Sequence, residues 1–297
     1  MEPEFAQCAV TILLLTSTSA KKRLYLFTNS PGINGFSKFI NFLKMKKAKK
    51  KIKASILIIG NEVLSGRTQD LNVSFISNWL NINCGISITE VRIIPDIEKK
   101  IIHNVLDLSK KFNYIFTTGG IGPTHDDITA LSISKAFKVK YEFNKEAYSI
   151  LEKYYGKNNF NEGRKKMAKM PKGSSLIYNP SSAAPGFKIK NVLCLPGVPS
   201  ILKSMMGNLK KYLIKGSKTI SDSINLQTVE SFISLELEKL QNEYLKKVDI
   251  GSYPFFRSGK VGVSVVLRSS NKIQLKSCLK KLNKIIKNKK IKLFKNT

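Results

Sequence analysis

The run Thr117-Thr118-Gly119-Gly120-Ile121-Gly122-Pro123-Thr124-His125-Asp126-Asp127-Ile128-Thr129 constrains this chain more than any other stretch. It follows Tyr114-Ile115-Phe116, an apolar triplet that reads as a buried strand, and it precedes helix-like spacing at Ile128, Leu131, Ile133, Ala136 and Phe137. Strand, glycine turn and helix in that order belong to an α/β layer, which offers backbone N–H groups to an anion. Glycine allows positive φ and close approach of a ligand to the backbone. Asp126 and Asp127 repel phosphate, so the pair implies either a metal ion bridging protein and phosphate or a hydroxyl-rich ligand. A helix N-cap needs only one carboxylate. Two, beside four threonines and three glycines, favour the functional reading.

With 297 residues the chain can bury one large core or two small ones. The formal net charge of +31 draws anionic ligands such as nucleotides. Arg occurs only at 23, 67, 92, 164, 257 and 268, and the remaining basic residues are Lys. Bidentate readers of nucleic acid favour Arg, so the Lys bias argues against nucleic acid as the partner and looks like a coding bias. Cys8, Cys84, Cys194 and Cys278 are scattered without a C-x-x-C pair, which excludes a zinc signature and implies no disulfide framework. A reducing cytoplasm is the expected compartment, and no segment reads as a membrane span.

Residues 1–53 differ from the rest. Cys8 to Leu15 is apolar but too short to cross a bilayer, and it follows Glu2 and Glu4, the wrong charge for a signal peptide. Residues 1–53 read as a poorly ordered N-terminal extension, of which 1–44 are dispensable or wrongly included, with Met45 as the working start. A basic membrane-surface or organelle-targeting segment is the rival reading. From Ala54 the pattern alternates: strand Ser55–Ile59, helix Leu71–Leu80, strand Ile86–Ile94, helix Ile97–Phe112 with Asp96 as cap, strand Tyr114–Thr118. Helices at Lys145–Tyr155 and Glu162–Met170, strands at Ser175–Ile177 and Val192–Leu195, and a helix from about Pro199 to Leu213 follow. This predicts a mostly parallel sheet covered on both faces, a three-layer α/β fold. After Lys215-Gly216-Ser217 the order β-α-β-β-α suits a small α+β split-βαβ domain. The expected divisions are 54–215, 216–290 and a frayed basic tail at 291–297.

The motifs Gly60-Asn61-Glu62, Asp70, Asn72, Pro95-Asp96, the Thr118 to Thr129 run, Asn179-Pro180 with Ala184-Pro185-Gly186-Phe187, and Leu195-Pro196-Gly197-Val198-Pro199 follow in order. Together they resemble the molybdopterin-binding (MoaB/Mog-like) domain in its CinA branch, the competence/damage-inducible protein A family, over about residues 54–215. Ser231 and Gly251-Ser252-Tyr253-Pro254 look like the small domain that follows in this branch and in eukaryotic FAD synthases. Ile121 and the Gly-Pro-Thr-x-Asp-Asp-x-Thr continuation favour this branch over the Mog-like adenylyltransferases. Ser182 and Ser200-Ile201 depart from its pattern. The resemblance implies a pyrophosphatase splitting ADP-ribose, FAD or a related dinucleotide with a divalent metal (Mg²⁺, Mn²⁺ or Co²⁺) and room for a monovalent cation. Nicotinamide-nucleotide amidase activity is not implied. The alternative is a non-catalytic module binding molybdopterin or a nucleotide. A homo-oligomer is expected from the same likeness.

For that chemistry the candidate catalytic residues are Asp127, Asp126 and Asp96, with Asp126 and Asp127 as metal ligands. Candidate ligand contacts are Thr117, Thr118, Gly119, Gly120, Gly122, Thr124, Glu62, Ala184, Pro185, Gly186, Pro196 and Gly197. His125 reads as a solvent-facing loop residue ahead of a general acid, and His103 as structural. Asp96 serves equally well as a helix cap. Pro196-Gly197 serves equally well as a tight connection. Asp70 and Asn72 read as cap and turn, and Tyr253, Phe255 and Phe256 as core.

Overall fold

Strand β1 (Ile52–Ile59) is apolar on both faces: Leu57 and Ile59 enter one core, Ala54, Ile56 and Ile58 another. Such a strand requires cover on both sides. The computed structural model, which describes residues 52–257 and 259–294, supplies it. β1 pairs in parallel with β2 (Ile86–Ile94) on one side and with β3 (Tyr114–Thr118) on the other. β3 pairs in parallel with β8 (Val192–Leu195), and β7 (Gly186–Ile189) and β6 (Ser175–Ile177) continue antiparallel, giving the order β2-β1-β3-β8-β7-β6.

One face is covered by α2 (Asn72–Cys84), α7 (Pro199–Met205) and the 3-10 turn Met206–Tyr212, through Ile76, Leu80, Leu202, Met205 and Leu209. The other is covered by α3 (Glu98–Lys111), α4 (Thr129–Ala136) and α5 (Lys145–Tyr155), through Ile101, Val105, Leu108, Ile133 and Leu151. Ile56, Leu57 and Phe116 are fully buried, each contributing roughly 1.5–3 kcal/mol of transfer free energy. A single-turn helix α1 (Asn61–Leu64), a short α6 (Glu162–Lys166) and the antiparallel pair β4 (Tyr141–Phe143) with β5 (Lys169–Pro171) complete this part.

The second sheet is antiparallel. Its elements are β9 (Ile220–Gln227), α8 (Glu230–Glu243), β10 (Asp249–Arg257), β11 (Lys260–Ser269), α9 (Lys272–Asn288) and β12 (Lys292–Leu293), with strand order β10-β11-β9-β12. Both helices pack on one face through Leu226, Val263, Val265 and Leu267 against Ile233, Leu237 and Leu282. The Asn81 side chain joins the two sheets. Its Nδ2 donates to Thr219 O at 3.1 Å and its Oδ1 accepts Thr219 N–H at 2.9 Å, beside Gly216 N–H to Cys84 O at 2.8 Å.

Several sequence expectations change. The helix expected over Glu162–Met170 stops at Lys166, and Lys169–Pro171 turns into β5 because Met170 and Pro171 are needed in the core. The helix expected over Leu71–Leu80 runs from Asn72 to Cys84, with Leu71 an exposed N-cap and Asn72 buried. The expected frayed tail contains β12, which pairs with β9 at Lys292–Gln227 and Leu293–Leu226. Ile52 and Lys53, assigned to the extension, belong to β1. Tyr253 (46% exposed) and Phe256 (73%) are not core residues. The proposed extension 1–44 and the start at Met45 lie outside the described residues.

Candidate functional site

The carboxyl edges of β1, β2, β3 and β8 meet at one cleft of about 790 Å³. From β1 the sheet grows to β2 on one side and β3 on the other, and a crevice at such a reversal is where open α/β sheets hold ligands. Hydrogen bonds tie the strand ends together. Gly60 N–H reaches Ile94 O at 3.2 Å, Gly119 N–H reaches Leu195 O at 3.1 Å, and Asn72 Nδ2 donates to Gly197 O at 2.8 Å.

The glycine loop is shaped by two residues in the left-handed region, Gly119 (φ +96°) and Gly120 (φ +68°). A Cβ on Gly119 would stand 2.1 Å from Ile59 O, so only glycine lets β3 turn against β1. Thr129, at the start of α4, closes the loop with N–H to Gly120 O at 2.9 Å and Oγ1 to Gly119 O at 3.0 Å. Among the described residues, no acceptor takes the backbone N–H groups of Gly120, Ile121 or Gly122. All three residues line the cleft, the arrangement that receives phosphate oxygens.

Four carboxylates share that cleft: Glu62, Asp96, Asp126 and Asp127. Asp127 Oδ2 accepts Thr124 N–H at 2.8 Å and Thr124 Oγ1–H at 2.5 Å. Local hydrogen bonding, from the Thr124 side of the loop and from its own backbone N–H, holds the exposed Asp126 below the usual carboxylate range, and the charge of Lys166 adds to it. Asp96 Oδ2 accepts Asn61 N–H at 2.9 Å. Burial pushes the Asp96 carboxyl up; that hydrogen bond opposes the rise, and the charges of Glu62, Asp126 and Asp127 add to it.

The remaining expected residues divide. Gly119, Gly120, Gly122, Glu62, Ala184, Pro185, Pro196 and Gly197 line the cleft, as do Asn179 and Ser182. Asn179 builds its turn with Nδ2 to Ser182 Oγ (2.7 Å) and Ala184 O (2.9 Å), while its Oδ1 accepts Ser181 N–H (2.9 Å). Thr117 does not reach the cleft: it is 0% exposed, opposite Cys194 in the β3–β8 pair, and its Oγ1 has no partner. Thr118 is buried against a side recess of about 50 Å³ next to Asn72 and Gly197. Thr124 is exposed outside the lining and spends its hydroxyl on Asp127. Gly186 is buried where a Cβ would meet Cys194 O at 2.3 Å, so it serves β7–β8 pairing. Neither Asp126 nor Asp127 caps α4, whose N-cap Ile128 makes no side-chain bond, and Asp96 does not cap α3. His125 and His103 are exposed.

Sequence reasoning missed Arg164, Tyr155 and Met167, which also line the cleft. The Arg164 guanidinium stacks 4.1 Å from the Tyr155 ring centroid and donates to Asn159 O. In so arginine-poor a chain, a lone Arg in the short helix after Asn161 was the available signal.

The donor set bears on a cation. Among the described residues, no group of three or more His, Cys, Asp or Glu side chains gathers as an all-protein metal cage. Carboxylates beside backbone N–H groups that no described acceptor takes have the chemistry to fit a hard cation held by one or two carboxylates and completed by phosphate oxygens. Among the described residues no helix is long and apolar enough to cross a membrane.

Comparison with known proteins agrees with this geometry. Residues 55–215 match the family model described as "Probable molybdopterin binding domain", and residues 218–295 match "FAD synthase, middle domain". A protein of Archaeoglobus fulgidus is 31% identical over 234 residues, covering 79% of this chain and 98% of the relative. One of Saccharolobus islandicus is 33% identical over 257 residues, covering 79% and 97%. The solved structure of CinA from Thermoplasma acidophilum, described as of unknown function, superposes with a TM-score of 0.52 at 30% identity, over 55% of this chain and 99% of that one. With its glycine loop, carboxylate cleft and following antiparallel sheet, this chain belongs to the molybdopterin-binding-domain family, in its CinA-like branch.

Proposed function

We propose that the cleft hydrolyses the phosphoanhydride of a dinucleotide such as ADP-ribose or FAD with the help of a divalent cation. The observation that carries this is the meeting, in one cleft, of the Gly120–Gly122 N–H donors with Glu62, Asp96, Asp126 and Asp127. Donors alone would serve a phosphate-binding module; carboxylates beside them are unfavourable for phosphate unless they handle a cation or a proton.

In the proposed reaction a water oxygen attacks one phosphorus, the bridging P–O bond breaks, and two monoesters leave, one of them AMP. The Gly120–Gly122 backbone holds the non-bridging oxygens. Asp96, whose proton affinity is raised by burial, accepts the proton lost by the water. Asp126 and Asp127 would hold Mg²⁺, Mn²⁺ or Co²⁺, which when bound supplies charge neutralisation. Thr124 fixes the Asp127 rotamer through its two hydrogen bonds. Arg164 on Tyr155 offers a planar cation to the second half of the substrate.

The test is AMP release from ADP-ribose and from FAD by the full chain, with and without each metal, and by Asp127→Asn. Metal-dependent AMP formation that falls at least about 100-fold in the folded variant supports hydrolysis. A folded wild type that binds a pterin or nucleotide and releases no AMP supports the second reading, a binding module, which the description of the matched family favours.

A further inference from the structure

The small sheet has a face that no described element covers. In β9, β10, β11 and β12 the register places Leu226, Ile250, Val263, Val265 and Leu267 toward α8 and α9. The alternate positions therefore point the other way: Tyr253, Phe255 and Arg257 on β10, Lys260, Ser264 and Arg268 on β11, Asn225 on β9, and Lys292 followed by Phe294 at β12. This face joins aromatic rings to cations. Tyr253 is 46% exposed, and Phe255 and Phe294 lie with ring centroids 5.1 Å apart.

Two glycines make the rings lie low. A Cβ on Gly262 would meet the Phe255 ring at 2.5 Å and the Phe294 ring at 2.6 Å, and one on Gly251 would meet the Tyr253 ring at 2.9 Å. The rings are thus laid over backbone, with Arg268 Nη2 donating to the Tyr253 hydroxyl at 3.1 Å. Charge on the face is lopsided: Arg257, Lys260, Arg268 and Lys292 against Asp249 alone. From Ile250 to Thr297 the sequence contains no Asp or Glu, and Glu230, Glu236, Glu238 and Glu243 all belong to α8.

We propose that this open face binds single-stranded nucleic acid, bases stacking on Tyr253, Phe255 and Phe294 while the flanking cations take phosphates. A four-stranded sheet with two helices behind and aromatics in front suits splayed bases, whose π-faces stack without sequence preference. A second copy of the same face would bring like charges together, which is why the polyanion is favoured over self-association. The Lys bias that argues against base-edge reading does not weigh against stacking and phosphate contact, which need no bidentate fork.

The experiment is fluorescence anisotropy of labelled dT15 and rU15 with the full chain, titrated with KCl, alongside a duplex of the same length. Tyr253→Leu and Phe255→Leu keep apolar bulk and remove stacking. Each is expected to weaken single-strand binding about 5- to 100-fold, with the circular dichroism melt unchanged. Lys260→Gln is expected to lower the slope of log K against log salt by about one. Equal affinity of wild type and both leucine variants, duplex binding as tight as single-strand binding, or no binding at 100 mM KCl would each overturn the proposal. So would a wild-type dimer that the leucine variants convert to monomer, since a second copy would then occupy the face.

Discussion

Asp96 Oδ2 accepts the backbone N–H of Asn61 at 2.9 Å, so the connection that follows β2 anchors the loop leaving β1. This bond fixes a carboxylate that sequence spacing assigned to the start of α3. It sets Asp96 among Glu62, Asp126 and Asp127, and that company, with burial, raises its proton affinity.

Asp96 gives a pH prediction. A carboxyl whose folded pKa exceeds its unfolded value binds protons more tightly when folded, so the fold loses stability as pH rises from the ordinary value of 3.8 through the raised one. Above that window the whole penalty is present. Asp96→Asn keeps an oxygen for Asn61 N–H and removes the charge. Its melting temperature at pH 7 should therefore equal or exceed wild type, while AMP release falls at least about 100-fold. A variant less stable than wild type at pH 7 shows that the anchor needs the charge.

Gly119→Ala should be among the most damaging single-methyl additions near the cleft. The added Cβ meets Ile59 O at 2.1 Å and φ is +96°, a combination that costs roughly 1–3 kcal/mol in backbone strain alone. A fall in melting temperature of roughly 5–10 °C is expected by calorimetry. Gly207→Ala, a control with open space around the Cβ, should leave it within about 2 °C.

The parts that were legible in the sequence are those where one period decides. Tyr114–Thr118 and Lys145–Tyr155 have the bounds read from the sequence, because a short apolar run before glycines and a 3.6-residue apolar spacing each admit one reading. Glu162–Met170 was misread because the helical spacing continues past the point where β5 is needed to pair with β4. Thr117 looked like a phosphate ligand by position in the motif. Strand alternation turns it into the sheet instead, since the last residues of β3 are still paired with β8. Arg164 reaches the cleft from α6, over 30 positions from the glycine loop, and no local pattern joins the two.

Asn72 was read as a turn residue, but it holds α2 to the β8–α7 connection. Its Nδ2 donates to Gly197 O at 2.8 Å, and the residue is 4% exposed. Asn72→Asp places a carboxylate against that carbonyl and should destabilise the fold by roughly 2–4 kcal/mol. Asn72→Ala should lose roughly 1–3 kcal/mol. Urea melts of the two variants check the order; a more stable Asp variant would show that the buried Oδ1, which has no partner, is where a cation or water sits.

Burial should make Cys194 inert. It is fully buried opposite Thr117, and burial pushes its thiol up to about 12. The thiolate is the reactive form, so iodoacetamide at pH 8 should leave Cys194 unmodified in the native chain and alkylate it in 6 M guanidinium. Native labelling at Cys194, located by peptide mass spectrometry, would mean that the β3–β8 pair opens on the timescale of the reaction.

Arg164 should separate binding from turnover. Its guanidinium lies 4.1 Å from the Tyr155 centroid, and its backbone is fixed by Asn161, whose Oδ1 accepts Arg164 N–H at 3.1 Å. A planar cation held on an aromatic ring can meet a phosphate or a second planar group without reorienting. It touches none of the four carboxylates by hydrogen bond or ion pair among the described residues, so the barrier to water attack should not depend on it. Arg164→Leu is therefore expected to raise KM for the dinucleotide roughly tenfold with kcat within about threefold. Arg164→Lys should recover only part of the loss, because an ammonium keeps the charge and loses the stacked plane. If kcat falls instead while KM holds, Arg164 acts on the transition state, and its place in the proposed reaction moves from the second half of the substrate to the scissile phosphate.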